Sequence, residues 1–269
     1  MNLPNTPWGK RASLALVIGL AMAAQAAAQA PLEVTVNGPN PMTLECGVDS
    51  YRELGATISG GSRPYELEIS GSVNTRRPGR YRITYTATDS STPEQTATAV
   101  RIVIVADTIA PTVNASVARS MLWPPNHNLI NVGLRARVSD ACDPDPAIDV
   151  MVFGDEDDEE ATGDGRHSPD AKNIALGSLR LRSERKGNAD GRVYLVLVTA
   201  TDESGNVGFD CATVVVPHDR SRRSVQSVRD QAARAERLCP AFAAFATGNG
   251  PLPGGYFIIG DGPVLGPKQ

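Results

Sequence analysis

Tyr81-Arg82-Ile83-Thr84-Tyr85-Thr86-Ala87-Thr88-Asp89 and Tyr194-Leu195-Val196-Leu197-Val198-Thr199-Ala200-Thr201-Asp202 are one phrase written twice, 113 residues apart from Tyr81 to Tyr194. In the first copy Tyr81, Ile83 and Tyr85 alternate with Arg82, Thr84 and Thr86. Successive strand side chains point to opposite faces, so this alternation predicts a strand with one face buried. Each copy closes on Thr-Ala-Thr-Asp, and a polar turn and a β-branched strand follow: Val100–Val105 after the first, Ala212–Val216 after the second. Leu32–Val36 and Tyr65–Ile69 alternate in the same way, and Gly38-Pro39-Asn40-Pro41, Gly60-Gly61-Ser62 and Pro78-Gly79 punctuate them. Short strands, regular turns and a domain-sized offset predict an all-β chain of two tandem immunoglobulin-like β-sandwiches, residues 31–107 and 108–219. The boundary falls near Ala106–Pro111, where a proline ends one strand and opens the next segment.

The ends read differently. Lys10 and Arg11 precede an apolar run from Ala12 to Ala24, and small residues follow to Ala30. That layout predicts a secretory signal over residues 1–30, with cleavage after Ala28 or Ala30. Neither that run nor any later one reaches the roughly 20 apolar residues of a membrane-spanning helix. The whole chain carries a net charge of −4, and loss of Lys10 and Arg11 takes it to −6. An acidic exported chain argues against nucleic acid as partner, since phosphate binding needs a basic face. Residues 220–239 carry Val225, Val228, Ala232, Ala235 and Leu238 at helical spacing among arginines, which predicts an amphipathic helix starting near Ser221 or Ser224 and stopped by Pro240. Residues 240–269 read as a loose tail, rich in Gly and Pro from Thr247.

Residues 42–107 resemble the bacterial Ig-like domain of the pesticidal-crystal-protein type, a relative of the hyalin repeat. The match rests on Tyr51, Leu54-Gly55-Ala56-Thr57, Gly71-Ser72-Val73-Asn74-Thr75, Pro78-Gly79-Arg80-Tyr81 and Thr86-Ala87-Thr88-Asp89. Residues 122–219 are similar to a second Ig-like module of bacterial secreted proteins, through Leu122-Trp123-Pro124-Pro125-Asn126-His127, Ser139-Asp140-Ala141-Cys142-Asp143-Pro144-Asp145-Pro146 and Val216-Pro217-His218-Asp219. These resemblances imply a fold and leave the role open, because such sandwiches host many unrelated functions. Where the first family usually carries an acidic or cysteine-bearing turn, this chain has Ser59-Gly60-Gly61-Ser62-Arg63, which leaves Cys46 without its expected partner.

Four cysteines, Cys46, Cys142, Cys211 and Cys239, allow three pairings, and an exported chain sits where disulfides persist. Cys142 follows one strand of the second sandwich and Cys211 lies in its last, so a Cys142–Cys211 bond is expected there. Cys46 and Cys239 would then pair by docking the C-terminal helix on the first domain.

The densest chemical feature is Asp155-Glu156-Asp157-Asp158-Glu159-Glu160, with Asp164 and Asp170 beyond it. Calcium takes six to eight oxygen ligands, so Asp155, Glu156, Asp164 and Asp170, with Asp140 or Asp143 from a neighbouring turn, are candidate calcium ligands. The competing reading is a solvated acidic loop. Asp89 and Asp202, each before a last strand, are expected to bond their own backbone and shape hairpin turns. Trp123 is a candidate sugar-stacking aromatic, against the plainer expectation that it packs over the sandwich edge. No nucleophile elbow, metalloprotease helix motif or phosphate loop is present. The sequence therefore predicts a secreted or periplasmic, non-enzymatic module that binds an extracellular protein or carbohydrate, or spaces something at the cell surface. The alternatives are an assembly component docking through its helix and an accessory binding part of an extracellular hydrolase system.

Overall fold

A computed structural model describes residues 30–157 and 168–260. The expected secretory signal, apart from Ala30, lies outside the described residues, as do Asp158–Glu160, Asp164 and the chain from 261 onward. No helix among the described residues is long and apolar enough to cross a membrane.

The first sandwich comprises β1 (Glu33–Val36), β2 (Met42–Glu45), β3 (Ala56–Ser59), β4 (Glu66–Ser70), β5 (Gly79–Thr88) and β6 (Thr96–Ala106). One sheet has the order β2-β6-β5-β4, with β2 parallel to β6, and β1 pairs with β3 in the other. Ile83, Tyr85 and Ala87 of β5 and Arg101, Val103 and Val105 of β6 are buried, each set at period two, as a strand with one wet face requires. The fully buried Arg101 is hydrogen-bonded on every side: Nε donates to Tyr85 Oη (3.0 Å), Nη1 to Pro39 O (2.7 Å) and Nη2 to Asn37 O (2.5 Å). A buried charge is tolerable on those terms. Asp89 ends β5 as expected. Burial raises its pKa, but Ser91 Oγ and the backbone N–H groups of Gln95, Ser62 and Ser91 donate to it and bring it down to about 2.

The second sandwich comprises β7 (Thr112–Ser116), β8 (Leu129–Asn131), β9 (Arg135–Ser139), β10 (Ala147–Gly154), β11 (Ala171–Lys172), β12 (Arg180–Arg182), β13 (Gly191–Thr201) and β14 (Val207–Pro217). The central sheet contains β14-β13-β10, opposed by β11-β12-β8 and the pair β7-β9. β13 differs from its echo β5 in being buried on both faces. Tyr194, Val196 and Val198 face the core between the sheets, with Leu122, Val132, Leu134, Leu179 and Leu181. Val193, Leu195 and Leu197 face outward into a second core.

That second core is roofed by helix α1 (Arg222–Arg237) and helix α2 (Cys239–Ala246). Ser221 caps α1, its side chain accepting from Ser224 N. Val228, Ala232 and Ala235 press on β13 and β14. Three residues of the apolar stripe are thus buried within the chain, while Leu238 stays 39% exposed. The C-terminal part departs from expectation. Pro240 sits in the first turn of α2, where a missing N–H costs nothing, so it opens a second helix rather than ending the ordered chain. Phe242 of α2 stacks on Phe153 at 4.6 Å and meets Tyr256 edge-on. The chain then returns as β15 (Phe257–Ile258), which pairs with β10 at the edge of the central sheet.

The disulfides also correct the sequence reading. Cys46 bonds Cys142 and Cys211 bonds Cys239, so the expected Cys142–Cys211 and Cys46–Cys239 pairs do not form. Strand alternation is the cause. Cys211 stands opposite Leu197 on β13, on the face turned to the helices, where Cys239 meets it. Cys142 lies in the turn after β9, at the end of the sandwich that faces domain one.

Candidate functional site

Four segments meet where the two sandwiches join. Domain one supplies the end of β2 with the turn Cys46–Asp49; the linker after β6 runs from Asp107 to Pro111; domain two supplies the turn Asp140–Pro146 and the β13–β14 hairpin turn Asp202–Asn206. The contact is close enough to dictate residue type. A Cβ on Gly47, whose φ is +69°, would lie 2.0 Å from Ala141 O, and one on Gly208 would lie 1.7 Å from Pro111 O. The Cys46–Cys142 bond crosses from one sandwich to the other at this point. Polar bonds fasten the linker on both sides. Glu45 accepts from Thr108 N (2.8 Å) and Thr108 Oγ1 (2.9 Å), while Asn206 Nδ2 donates to Asp107 O and Ser204 Oγ to Asp107 Oδ2, both at 3.1 Å.

Inside this junction one carboxylate oxygen each from Asp107, Asp140 and Asp202 lies within 4.8 Å of the others. Asp202 is 5% exposed and caps its hairpin as expected, accepting from Asn206 N and Asn206 Nδ2 at 2.8 Å each. Asp140 Oδ1 accepts from Cys142 N and Asp143 N, both at 2.8 Å, whereas its Oδ2 is buried without a hydrogen-bond partner. Burial pushes the Asp107 carboxyl above its ordinary pKa; Ser204 opposes this, and Asp202, Asp140 and Glu45 add to it. Asp143 turns away, accepting from Asp145 N and Glu203 N.

The other expected cation ligands are engaged elsewhere. Glu156 and Asp170 flank Arg192 within the second sandwich: Arg192 Nε donates to Glu156 Oε2 at 2.8 Å, and its Nη1 to Asp170 Oδ2 and to Tyr194 Oη. Arg182 Nε donates to Asp170 Oδ1 (3.0 Å), and Nη1 and Nη2 to His127 O and Pro169 O. His127 Nδ1 bonds Glu184 Oε2 at 3.0 Å. Burial alone would lower the pKa of Arg192, but Tyr194, Asp170 and Glu156 raise it, so the guanidinium stays charged. Asp155 Oδ1 accepts from Val193 N (2.8 Å), and burial drives the Asp155 pKa up to about 6. Guanidinium groups thus stand against Glu156 and Asp170, two of the expected ligands. Of the six expected ligands, Asp140 alone reaches the junction cluster; Asp164 lies outside the described residues. The sequence reading did not group Asp107 and Asp202 with Asp140; Asp202 was visible as the Asp that closes the second Thr-Ala-Thr strand, whereas nothing in the linker marked Asp107. Trp123 remains 37% exposed beside the fully buried Leu122, next to a loop held by Ser183 Oγ donating to Pro124 O.

Residues 34–105 match the family model described as "Bacterial surface protein, Ig-like domain". No curated protein sequence matches the chain. Similar solved structures include protocadherin gamma C5 EC1-3 (16% identity, 68% of each chain, TM-score 0.28). Others are the fibronectin(III)-like modules of Clostridium thermocellum CbhA (15%, 68% of this chain and 93% of that one, TM-score 0.27) and human mucin-like protocadherin EC1-2 (13%, 68% and 96%, TM-score 0.31).

Proposed function

We propose that the chain works outside the cell as a non-enzymatic adhesion or spacer module, in which two sandwiches are held at a set angle so that one end carries a surface for an extracellular protein or carbohydrate. The observation that carries this reading is the Cys46–Cys142 bond, which ties the sandwiches together across a five-residue linker, Asp107–Pro111. Free tandem domains joined by so short an interface move relative to one another by default. A covalent tie at the hinge suits a part whose task is to hold position, in a compartment that keeps disulfides oxidised. The match of residues 34–105 to a surface Ig-like family supports the extracellular setting.

The test has two arms. Small-angle scattering of the oxidised exported protein should give one narrow distribution of shapes, which the double variant Cys46→Ser/Cys142→Ser broadens. Immobilised protein, presented with a panel of extracellular glycans and matrix proteins, should retain at least one without altering it. Turnover of a glycan or peptide on that panel would overturn the reading.

A further inference from the structure

We propose that the outer face of α1, together with a cleft at its start, binds an acidic polysaccharide bearing carboxylate or sulfate groups. This partner is the carbohydrate of the adhesion reading above, on which its extracellular setting rests. Helix α1 carries five arginines, Arg222, Arg223, Arg229, Arg234 and Arg237, with no lysine and two acids, Asp230 and Glu236. That is a charge of +3 on one helix of a chain whose net charge is −4. All five arginines are exposed, because Val228, Ala232 and Ala235 hold the opposite face on the sheet. Both acids are engaged by neutral partners: Asp230 Oδ1 accepts from Gln226 Nε2 at 2.8 Å, and Glu236 Oε1 from Thr213 Oγ1 at 2.6 Å. Among the described residues none of the five arginines forms an ion pair. Arg222, Arg229 and Arg237 follow one another along one side of the helix, about 11 and 12 Å apart on its axis. A guanidinium fork matches an oxyanion bidentately, and a row of them suits a polymer that carries such groups at intervals.

Charge alone would also suit a membrane, a nucleic acid or an acidic protein, and three observations select the glycan. Apart from Leu238 at its end, the exposed face of α1 carries no large apolar side chain, so it has nothing to insert among lipid tails. The helix lies flat on β13 and β14 and so cannot enter a groove of duplex DNA. At its start, a cleft of about 380 Å³ opens between α1 and the turn joining β12 to β13, lined by Asn188, Asp190, His218, Asp219, Ser221 and Arg223 among others. Asp190 Oδ2 accepts from Gln231 Nε2 (2.8 Å) and Asp219 Oδ1 from Ser221 N (2.7 Å), which fixes both carboxylates at its wall. Carboxylates in that position repel an acidic peptide but accept from sugar hydroxyls, while Arg223 on the same wall meets the anionic group. One sugar is thus seated in the cleft and the row of arginines holds the rest of the polymer.

Binding of the oxidised exported protein to immobilised polygalacturonate, dextran sulfate and neutral dextran tests the site. At least one charged polymer should retain the protein at about 50 mM salt and far less of it at about 200 mM, and neutral dextran should retain none. Free galacturonic acid should compete about a hundredfold more weakly than the polymer, because a single sugar cannot span the row. Arg222→Gln/Arg229→Gln/Arg237→Gln should weaken the polymer about tenfold or more, whereas Arg76→Gln/Arg77→Gln, exposed arginines of domain one, should leave it unchanged. Asn188→Ala changes no charge and should weaken binding too, as plain ion exchange would not. Melting curves confirm that each variant is folded. Retention by neither charged polymer overturns the proposal, and so does binding that the triple variant or Asn188→Ala leaves undiminished. Tighter binding to phosphatidylserine vesicles, duplex DNA or polyglutamate than to either glycan overturns it as well; the adhesion reading then stands or falls by the other members of its own panel.

Discussion

Replacement of Arg192 by Met should cost the second sandwich about 3 kcal/mol at neutral pH. The side chain is 3% exposed and faces two carboxylates that are themselves buried, Glu156 at 5% and Asp170 at 1%. Methionine fills much of the same volume, so the loss is chiefly electrostatic. Breaking a buried ion pair by removing one partner typically costs about 3–5 kcal/mol, because the remaining charge is stranded. The lower end applies here. Asp170 keeps Arg182 at 3.0 Å, and Glu156 Oε2 keeps the backbone N–H of Lys186 at 2.9 Å. For a chain of this size such a loss lowers Tm by about 6–12 °C. Urea unfolding at pH 7.5 and pH 4.5 supplies the assay, since the deficit should depend on pH with a definite sign. Without the guanidinium, Glu156 and Asp170 are buried charges with one partner fewer, a penalty that protonation relieves. The gap to the unmodified protein should therefore narrow at pH 4.5, and Arg192→Met/Glu156→Gln should recover part of it at pH 7.5. A deficit below about 1 kcal/mol, or one that is the same at both pH values, would refute the reasoning.

Two further expectations rest on the same domain. Burial raises Asp155 from 3.8 to about 6, so its stabilising contribution is complete below 3.8 and vanishes as pH rises through about 6; Asp155→Asn, whose Oδ1 can still accept from Val193 N, should raise the unfolding free energy at pH 7.5 by up to about 3 kcal/mol, read by urea melts, and flatten that part of the pH profile. Cys211→Ser/Cys239→Ser opens a loop spanning 28 residues and should lower stability by about 3.5 kcal/mol in the chain-entropy picture, read by urea melts of the double variant beside the oxidised parent.

The two copies of the repeated phrase show what sequence pattern can reveal and where it stops. β5 alternates because one of its faces meets solvent or polar neighbours, and period two is visible in its letters. β13 reads Val193-Tyr194-Leu195-Val196-Leu197-Val198 without interruption because a helical layer covers its outer face. An uninterrupted apolar strand signals a cover on both sides. The stripe on α1 was legible for the same reason, but nothing in either segment says that the two belong together. The acidic run failed differently. Its charge was plain, yet Arg182 and Arg192, which claim Asp170 and Glu156, lie at distances along the chain that only folding closes. Cysteine pairing depended on which face of β14 Cys211 occupies, and that face has meaning only once the helices are placed.

Asp89 and Asp202 close equivalent strands, and the difference between them locates the junction chemistry. Asp89 turns inward on its own loop and is satisfied by Ser62, Ser91 and Gln95, all of its own domain. Asp202 caps a turn of the same kind, but Asn206 and Ser204 of that turn reach out to Asp107 in the linker. The same kind of hairpin cap is thus part of an interface in the domain that follows a neighbour. The Cys46–Cys142 bond acts at the same place and works on orientation as much as on stability. Both cysteines sit at the ends of their sandwiches, so cutting the bond leaves the two cores intact. What it encloses, however, spans 96 residues, and closing a loop of that length restrains the unfolded chain by about 4.7 kcal/mol. Because the enclosed stretch includes most of domain one, the linker and the first strands of domain two, that restraint belongs to neither sandwich alone. It couples their unfolding, and in the folded state the same covalent tie holds the hinge.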